Sequence, residues 1–252
     1  MQKIIYYLFN KIFLNEVESE ILDHLEKKDR IIFDVGCFRG NFTKNIIKYE
    51  YKEGIKSKFF LFDPNPNVKN YLYSLLENKR IKYFNLALDN SNTEKQFILN
   101  QFFEASGSGL KSAHKEDKLY NLSRKTFMQL VQPFKKIKDY LEINVKTQTL
   151  DNFCLEYNIQ NIDLLKLDTE GNEFDILKGA EKLLSLNKIK VIYTEISGTK
   201  VNFNNKVNEI VKLLNNYNFE HKRIYKMPVF SFLSGLKSTD NLFVSKNIYT
   251  NT

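Results

Sequence analysis

Five short apolar runs limit what this chain can fold into: Ile31 to Val35, Phe59 to Phe62, Tyr83 to Leu88, Ile162 to Leu167 and Val191 to Ile196. Each is too short for a buried helix and lacks the polar alternation of a half-solvated strand, so each reads as a strand covered on both faces. Segments of helical periodicity fill several of the intervals, namely Asn41 to Tyr49, Asn67 to Leu76, Glu173 to Leu186 and Asn205 to Tyr217. The alternation predicts an α/β fold with a doubly wound, mostly parallel sheet and helices on both faces. Ahead of it, Ile4, Leu8, Ile12, Val17, Ile21 and Leu25 recur at helical spacing before the charged Lys27-Lys28-Asp29-Arg30. This leading helix is expected to cover a sheet edge; Tyr6, Tyr7, Phe9 and Phe13 leave a membrane-surface or dimer contact open. At 252 residues, one domain over 1–252 is the default, with 1–30 as a helical cover.

The rhythm breaks between Asp89 and Leu150. There an alternating segment (Lys95 to Leu99), a Gly/Ser-rich loop (Ser106-Gly107-Ser108-Gly109), a polar helix-like stretch (Lys115 to Tyr140) and a strand-like run (Ile143 to Thr147) follow one another. Residues 89–150 are read as a hairpin and lid insertion over the carboxyl ends of the strands, where ligands bind in doubly wound sheets.

Composition narrows the function classes. Apolar residues make up 42% and aromatics 14% of the chain, enough to exclude wholesale disorder. Two cysteines, Cys37 and Cys154, exclude disulfide scaffolds and Cys-rich zinc folds. The net charge of +8 is spread over the sequence without a run of five basic residues. It agrees with a phosphorylated or nucleotide-linked small-molecule acceptor, and no nucleic-acid partner is expected. No apolar stretch reaches the roughly 20 residues of a membrane span, and the first twenty residues lack the pattern of a cleaved leader. A soluble, cytoplasmic protein is expected.

The turn after the first run, Asp34-Val35-Gly36-Cys37-Phe38-Arg39-Gly40, places two glycines before a helix. Glycine allows the sharp turn and close approach of a ligand to the backbone. The next run ends in Asp63-Pro64, a carboxylate placed to accept hydrogen bonds from both hydroxyls of a ribose. The close glycine pair of dinucleotide-binding turns is missing, and Asp34 would repel a pyrophosphate while attracting a cationic amino-acid moiety. A nucleoside carrying an amino acid and a positive sulfur fits better.

Leu150-Asp151-Asn152-Phe153, the stretch from Ile162 through Lys166-Leu167-Asp168-Thr169-Glu170-Gly171-Asn172-Glu173 to Ala180, Glu195 closing the next strand, and Asp240-Asn241-Leu242-Phe243 together resemble the FkbM family of S-adenosylmethionine-dependent methyltransferases. The resemblance covers roughly Ile31 to Asn241. It implies a class I methyltransferase fold, with a seven-stranded sheet whose last strand is antiparallel, and action on hydroxyls of sugars or polyketide-like products. On matching positions, Asp34, Gly36 and Gly40 would line the methionine end, Asp63 the ribose, and Ala87 and Leu88 the adenine. Cys37, Pro64 and Asp168 complete the expected cofactor set. Where the family often has paired serines before a leucine, this chain has Ser108-Gly109-Leu110.

Transfer of a methyl group to an alcohol requires alignment and removal of the hydroxyl proton. Asp168, Glu170, Glu173 and Glu195 collect at strand ends as an acidic cluster for a general base, a hydroxyl clamp or a divalent-metal shell. Glu173 equally suits a plain helix N-terminus. Lys166 shares the side of Asp168 and is expected to pair with a carboxylate. His114, in the lid, is the remaining candidate to reach an acceptor; His24 and His221 have weaker claims. The preferred reading is O-methylation of a surface-polysaccharide (capsule) sugar or its nucleotide-activated precursor. An amide nitrogen, a phosphate-type oxygen, an RNA ribose and a non-enzymatic binding role are the alternatives, and pairing with a second copy of the chain is left open.

Overall fold

A computed structural model describes residues 17–99, 108–111, 141–199, 202–226 and 236–249. The strands expected from the apolar runs form as β1 (Ile31–Val35), β2 (Lys58–Phe62), β8 (Ile162–Leu167) and β9 (Ile189–Thr199). With β3 (Ile81–Phe84), β10 (Phe219–Lys226) and β11 (Leu236–Ser245) they make a seven-stranded sheet in the order β10-β11-β9-β8-β1-β2-β3. Neighbours from β9 to β3 run parallel, whereas β11 is antiparallel to both β9 and β10, so the sheet is mixed. Period-two alternation sends Phe33 and Val35 of β1 to one face and Ile32 to the other.

Both faces are covered, which is why the runs are apolar throughout. On one face lie α4 (Leu150–Glu156), α5 (Glu173–Lys178), α6 (Glu181–Ser185) and α7 (Phe203–Asn216), contributing Phe153, Ile176, Leu183 and Leu214 to the core. Phe33, Phe62, Phe84 and Phe153 pack there with centroids 4.7–5.8 Å apart, Phe153 edge-on to the other three and Phe62 stacked on Phe84. The opposite face is closed by α1 (Asn41–Glu53), α2 (Val68–Tyr71) and α3 (Tyr73–Leu76). Residues 17–23 are helical, and Val17, Ile21 and Leu22 join this second cluster with Ile46, Leu164 and Val191. The described part of the leading segment thus joins the core on this face of the sheet, and its Glu20 also accepts from Arg223 of the edge strand β10 at 2.6 Å. Residues 1–16, over which the helix is expected from the sequence, lie outside the described residues.

Three expected continuities are broken. The segment Asn67 to Leu76 forms two short helices, α2 and α3, on either side of Leu72. The third run splits after Phe84: β3 stays in the main sheet, while β4 (Ala87–Leu88) joins a second sheet with β5 (Thr93–Leu99), β6 (Gly109–Leu110) and β7 (Leu141–Gln148), in the order β4-β7-β5-β6. At the split, Asn85 donates its side-chain amide to the Asp63 carbonyl at 3.0 Å, tying this turn to the end of β2. The helix expected over Glu173 to Leu186 is divided into α5 and α6 at Gly179, which packs against Asp89 so closely that a Cβ would lie 2.1 Å from the carbonyl oxygen. In the insertion, β5 pairs antiparallel with β7 and with β6, a hairpin-like arrangement. The Lys115 to Tyr140 stretch lies outside the described residues. Among the described residues no helix is long and apolar enough to cross a membrane.

Candidate active site

A cleft of about 700 Å³, measured out to its open mouth, sits at the carboxyl ends of β1, β2 and β8. Of the residues expected to hold a cofactor, Gly36, Asp63, Pro64, Ala87, Leu88 and Asp168 line it together with Glu170. Asp34, Cys37 and Gly40 do not line it. Gly36, at φ 74°, is required by the fold itself: a Cβ there would lie 1.8 Å from the carbonyl oxygen of Asp168, so the turn after β1 and the end of β8 press backbone to backbone. Gly40 caps α1. Cys37 is buried in the core, and burial pushes its thiol well above the usual range, which makes it a packing residue.

A buried row of charge supports the cleft from below. Asp34, Lys166 and Tyr193 are cross-strand partners on one face of the sheet. Asp34 is fully buried and accepts a hydrogen bond from Thr43 Oγ1 at 2.8 Å and an ion pair from Lys166 Nζ at 3.2 Å. The same ammonium donates to the Gly36 carbonyl at 3.0 Å and meets Asp168 at 3.2 Å. Burial alone would push Lys166 down, but Asp168 and then Asp34 hold it above the ordinary lysine range. Lys166 thus ties the glycine turn to Asp168, the carboxylate pairing expected from alternation.

Asp63 Oδ2 accepts from the Phe38 amide at 3.1 Å and Oδ1 from the Asn65 amide at 3.0 Å. Burial raises its pKa to about 6 despite these bonds. Each oxygen keeps capacity for a further donor. The loop after β8 is clipped by Glu173, whose Oε1 accepts from the Thr169 amide and hydroxyl, both at 2.9 Å, and from the Gly171 amide at 3.1 Å. Glu173 is the helix-terminus residue that its position suggested. Glu170, held at φ 59°, stands on the cleft wall.

The acidic cluster divides into two layers. Asp168 and Glu170 reach the cleft, while Glu195 lies behind them, opposite Asp240 in the β9–β11 register and accepting from the Ser238 hydroxyl. Burial, reinforced by Asp168 and Asp240, pushes Glu195 well above the usual carboxylate range. Asp240 rises to about 7 through burial and the charge of Asp168. Among the described residues no group of three or more His, Cys, Asp or Glu side chains is arranged to hold a metal ion. His114 lies outside the described residues. His221 stacks on Phe243 and bonds to Asn241, in the β10–β11 pair rather than at the cleft.

Sequence reasoning missed Asn172, Thr169, Phe38, Leu86 and Phe97 on the cleft wall. Phe97 comes from β5 and Leu110 from β6, so the insertion supplies part of the wall. The alternation in Lys95 to Leu99 was a readable signal for Phe97; Asn172 had none beyond its place after β8.

The sequence profile of the Methyltransferase FkbM domain matches residues 34–221. The curated protein 2-O-methyltransferase NoeI of Sinorhizobium fredii (strain NBRC 101917 / NGR234) is 27% identical over 189 residues, covering 72% of this chain and 69% of that protein. Among solved structures, the FkbM methyltransferase of Methylobacillus flagellatus KT superposes with a TM-score of 0.51 at 11% identity over 86% of this chain. This chain spans 43% of the length of that one, and the likeness supports the fold. With three quarters of its length inside the family profile, the chain belongs to the FkbM family of methyltransferases.

Proposed function

We propose that the protein is an S-adenosylmethionine-dependent O-methyltransferase that modifies a hydroxyl of a saccharide, in a surface polysaccharide or its nucleotide-activated precursor. The observation that carries the reading is the cleft itself, which combines the Asp63 carboxylate with an acidic wall of Asp168 and Glu170. The residues fit a sulfonium nucleoside. Asp63 has acceptor capacity for ribose hydroxyls, and the acidic wall suits a cation. The 2-O-methyltransferase relative supports an oxygen as the methylated atom.

When bound, the sulfonium nucleoside supplies an electrophilic methyl group. The protein's part is to hold the acceptor hydroxyl in line, to exclude water and to receive the hydroxyl proton. Asp168 and Glu170 are the carboxylates on the cleft wall able to take that proton. Glu195 acts from behind through the charge of Asp168. Phe97 and Leu110 form the apolar side that the acceptor passes.

Calorimetric titration with S-adenosylmethionine and S-adenosylhomocysteine, with NAD as control, tests the cofactor. Tight binding of the two sulfur nucleosides and a loss of tenfold or more in Asp63→Ala are expected, on the order of one charged hydrogen bond. Absence of binding by the parent protein would reject the reading. Incubation with sugar nucleotides and a gain of one methyl by mass then tests the acceptor class.

A further inference from the structure

Asn172 is a cleft residue with half of its side chain committed. Its amide nitrogen donates to the Leu88 carbonyl at 3.0 Å and approaches Asp89 Oδ1 at 3.4 Å. Asp89 is itself buried and ion-paired to Lys95, so the acceptor that receives the Asn172 nitrogen is fixed. The carboxamide therefore cannot turn over without leaving two acceptors facing an oxygen. Its Oδ1 is buried and has no hydrogen-bond partner. The residue is 2% exposed and contributes to the cleft wall beside Leu86, Ala87 and Leu88.

A buried carbonyl oxygen without a donor costs roughly 1–3 kcal/mol, and native proteins leave few such groups unexplained. The missing partner is a neutral donor. A cation is not needed there, and a second acceptor would be repelled. The neighbouring wall is apolar and strand-like, as suits the flat face and edge of a base. Resting on the sulfonium-nucleoside reading above, we infer that Asn172 Oδ1 accepts the exocyclic amine of the bound adenine and makes the site selective for an amino-substituted purine.

The inference is tested by equilibrium binding, independent of turnover. S-adenosylhomocysteine and its deaminated analogue S-inosylhomocysteine, which carries a carbonyl where the amine stood, are titrated calorimetrically into the parent and into Asn172→Ala. The parent is expected to favour the amino form by about tenfold to a hundredfold, the loss associated with one unpaired buried polar group. In Asn172→Ala the ratio should collapse toward one, chiefly through weaker binding of the amino form. Because both ligands are measured on one preparation, a partly unfolded fraction cancels from the ratio. Equal affinity for the two ligands in the parent overturns the inference, and needs no variant. An undiminished preference in a folded Asn172→Ala overturns it as well. Failure of the parent to bind either ligand rejects the cofactor reading and the inference with it, a result distinct from binding without discrimination.

Discussion

Lys166 organises the site at the scale of single residues. One ammonium neutralises Asp34 below and Asp168 above, and by holding the Gly36 carbonyl it aligns the two strand ends that border the cleft. Buried charge of this kind is tolerable only when each member keeps a partner. Asp168 is partly exposed and Glu170 lines the cleft, so removing their charge should leave the nucleoside site standing. Asp168→Asn and Glu170→Gln are expected to bind S-adenosylhomocysteine within a few-fold of the parent. At least one should lose methyl transfer by about 10²–10⁴-fold, the usual contribution of a general base. Parallel calorimetry and mass-detected turnover separate the two effects. Asp63 and Asp168 were legible because each follows an apolar run directly. Glu195 was legible as a strand-end carboxylate, but its place behind Asp168 depends on pairing with Asp240 across β9 and β11.

Elements show how packing overrides local propensity. The sequence from Glu173 to Leu186 has helical periodicity throughout, yet the helix divides at Gly179, where the backbone of Asp89 occupies the space a side chain would need. That contact joins the α5–α6 break to the end of β4, hence to Leu88, Asp89 and the Asn172 anchor. Gly179→Ala should destabilise the protein by about 1–3 kcal/mol, as expected for overpacking. It should also weaken nucleoside binding by shifting the β4 wall. Urea unfolding and calorimetry on the same variant check both effects. By contrast, α4 starts on a local cap: Thr149 Oγ1 accepts from the Asn152 amide at 3.2 Å.

For the whole molecule, stability depends on closing both faces of the sheet. The second face is completed by the segment around residues 17–25, which buries Ile21 and Leu22 but also Glu18. Glu18 accepts from the Asn45 side chain at 2.8 Å, yet burial raises its pKa to about 7. The folded pKa exceeds the unfolded one, so the folded state binds the proton more tightly. Stability therefore falls as pH rises from about 4.5 to 7, and the cost of the buried charge is fully present above 7. Glu18→Gln should accordingly be more stable than the parent at pH 8, by about 3 kcal/mol at most, and the advantage should fade toward pH 4.5. Urea midpoints of the two proteins across that range measure it. A constant difference would show that Glu18 is not the titrating group.

The sequence by itself determined the alternation of apolar strands and helices, the glycine turn after β1, the carboxylates at strand ends and the family. These rest on periodicity and on short motifs, whose physical causes act within a few residues. Tertiary structure alone decided which face the leading helix covers, where β3 hands over to β4, and that Asp34 supports the cleft rather than lining it. It also brought Asn172 to Leu88, 84 residues away. Such pairings are set by how buried polar groups find partners once the two faces of the sheet have closed, and no local pattern records that choice.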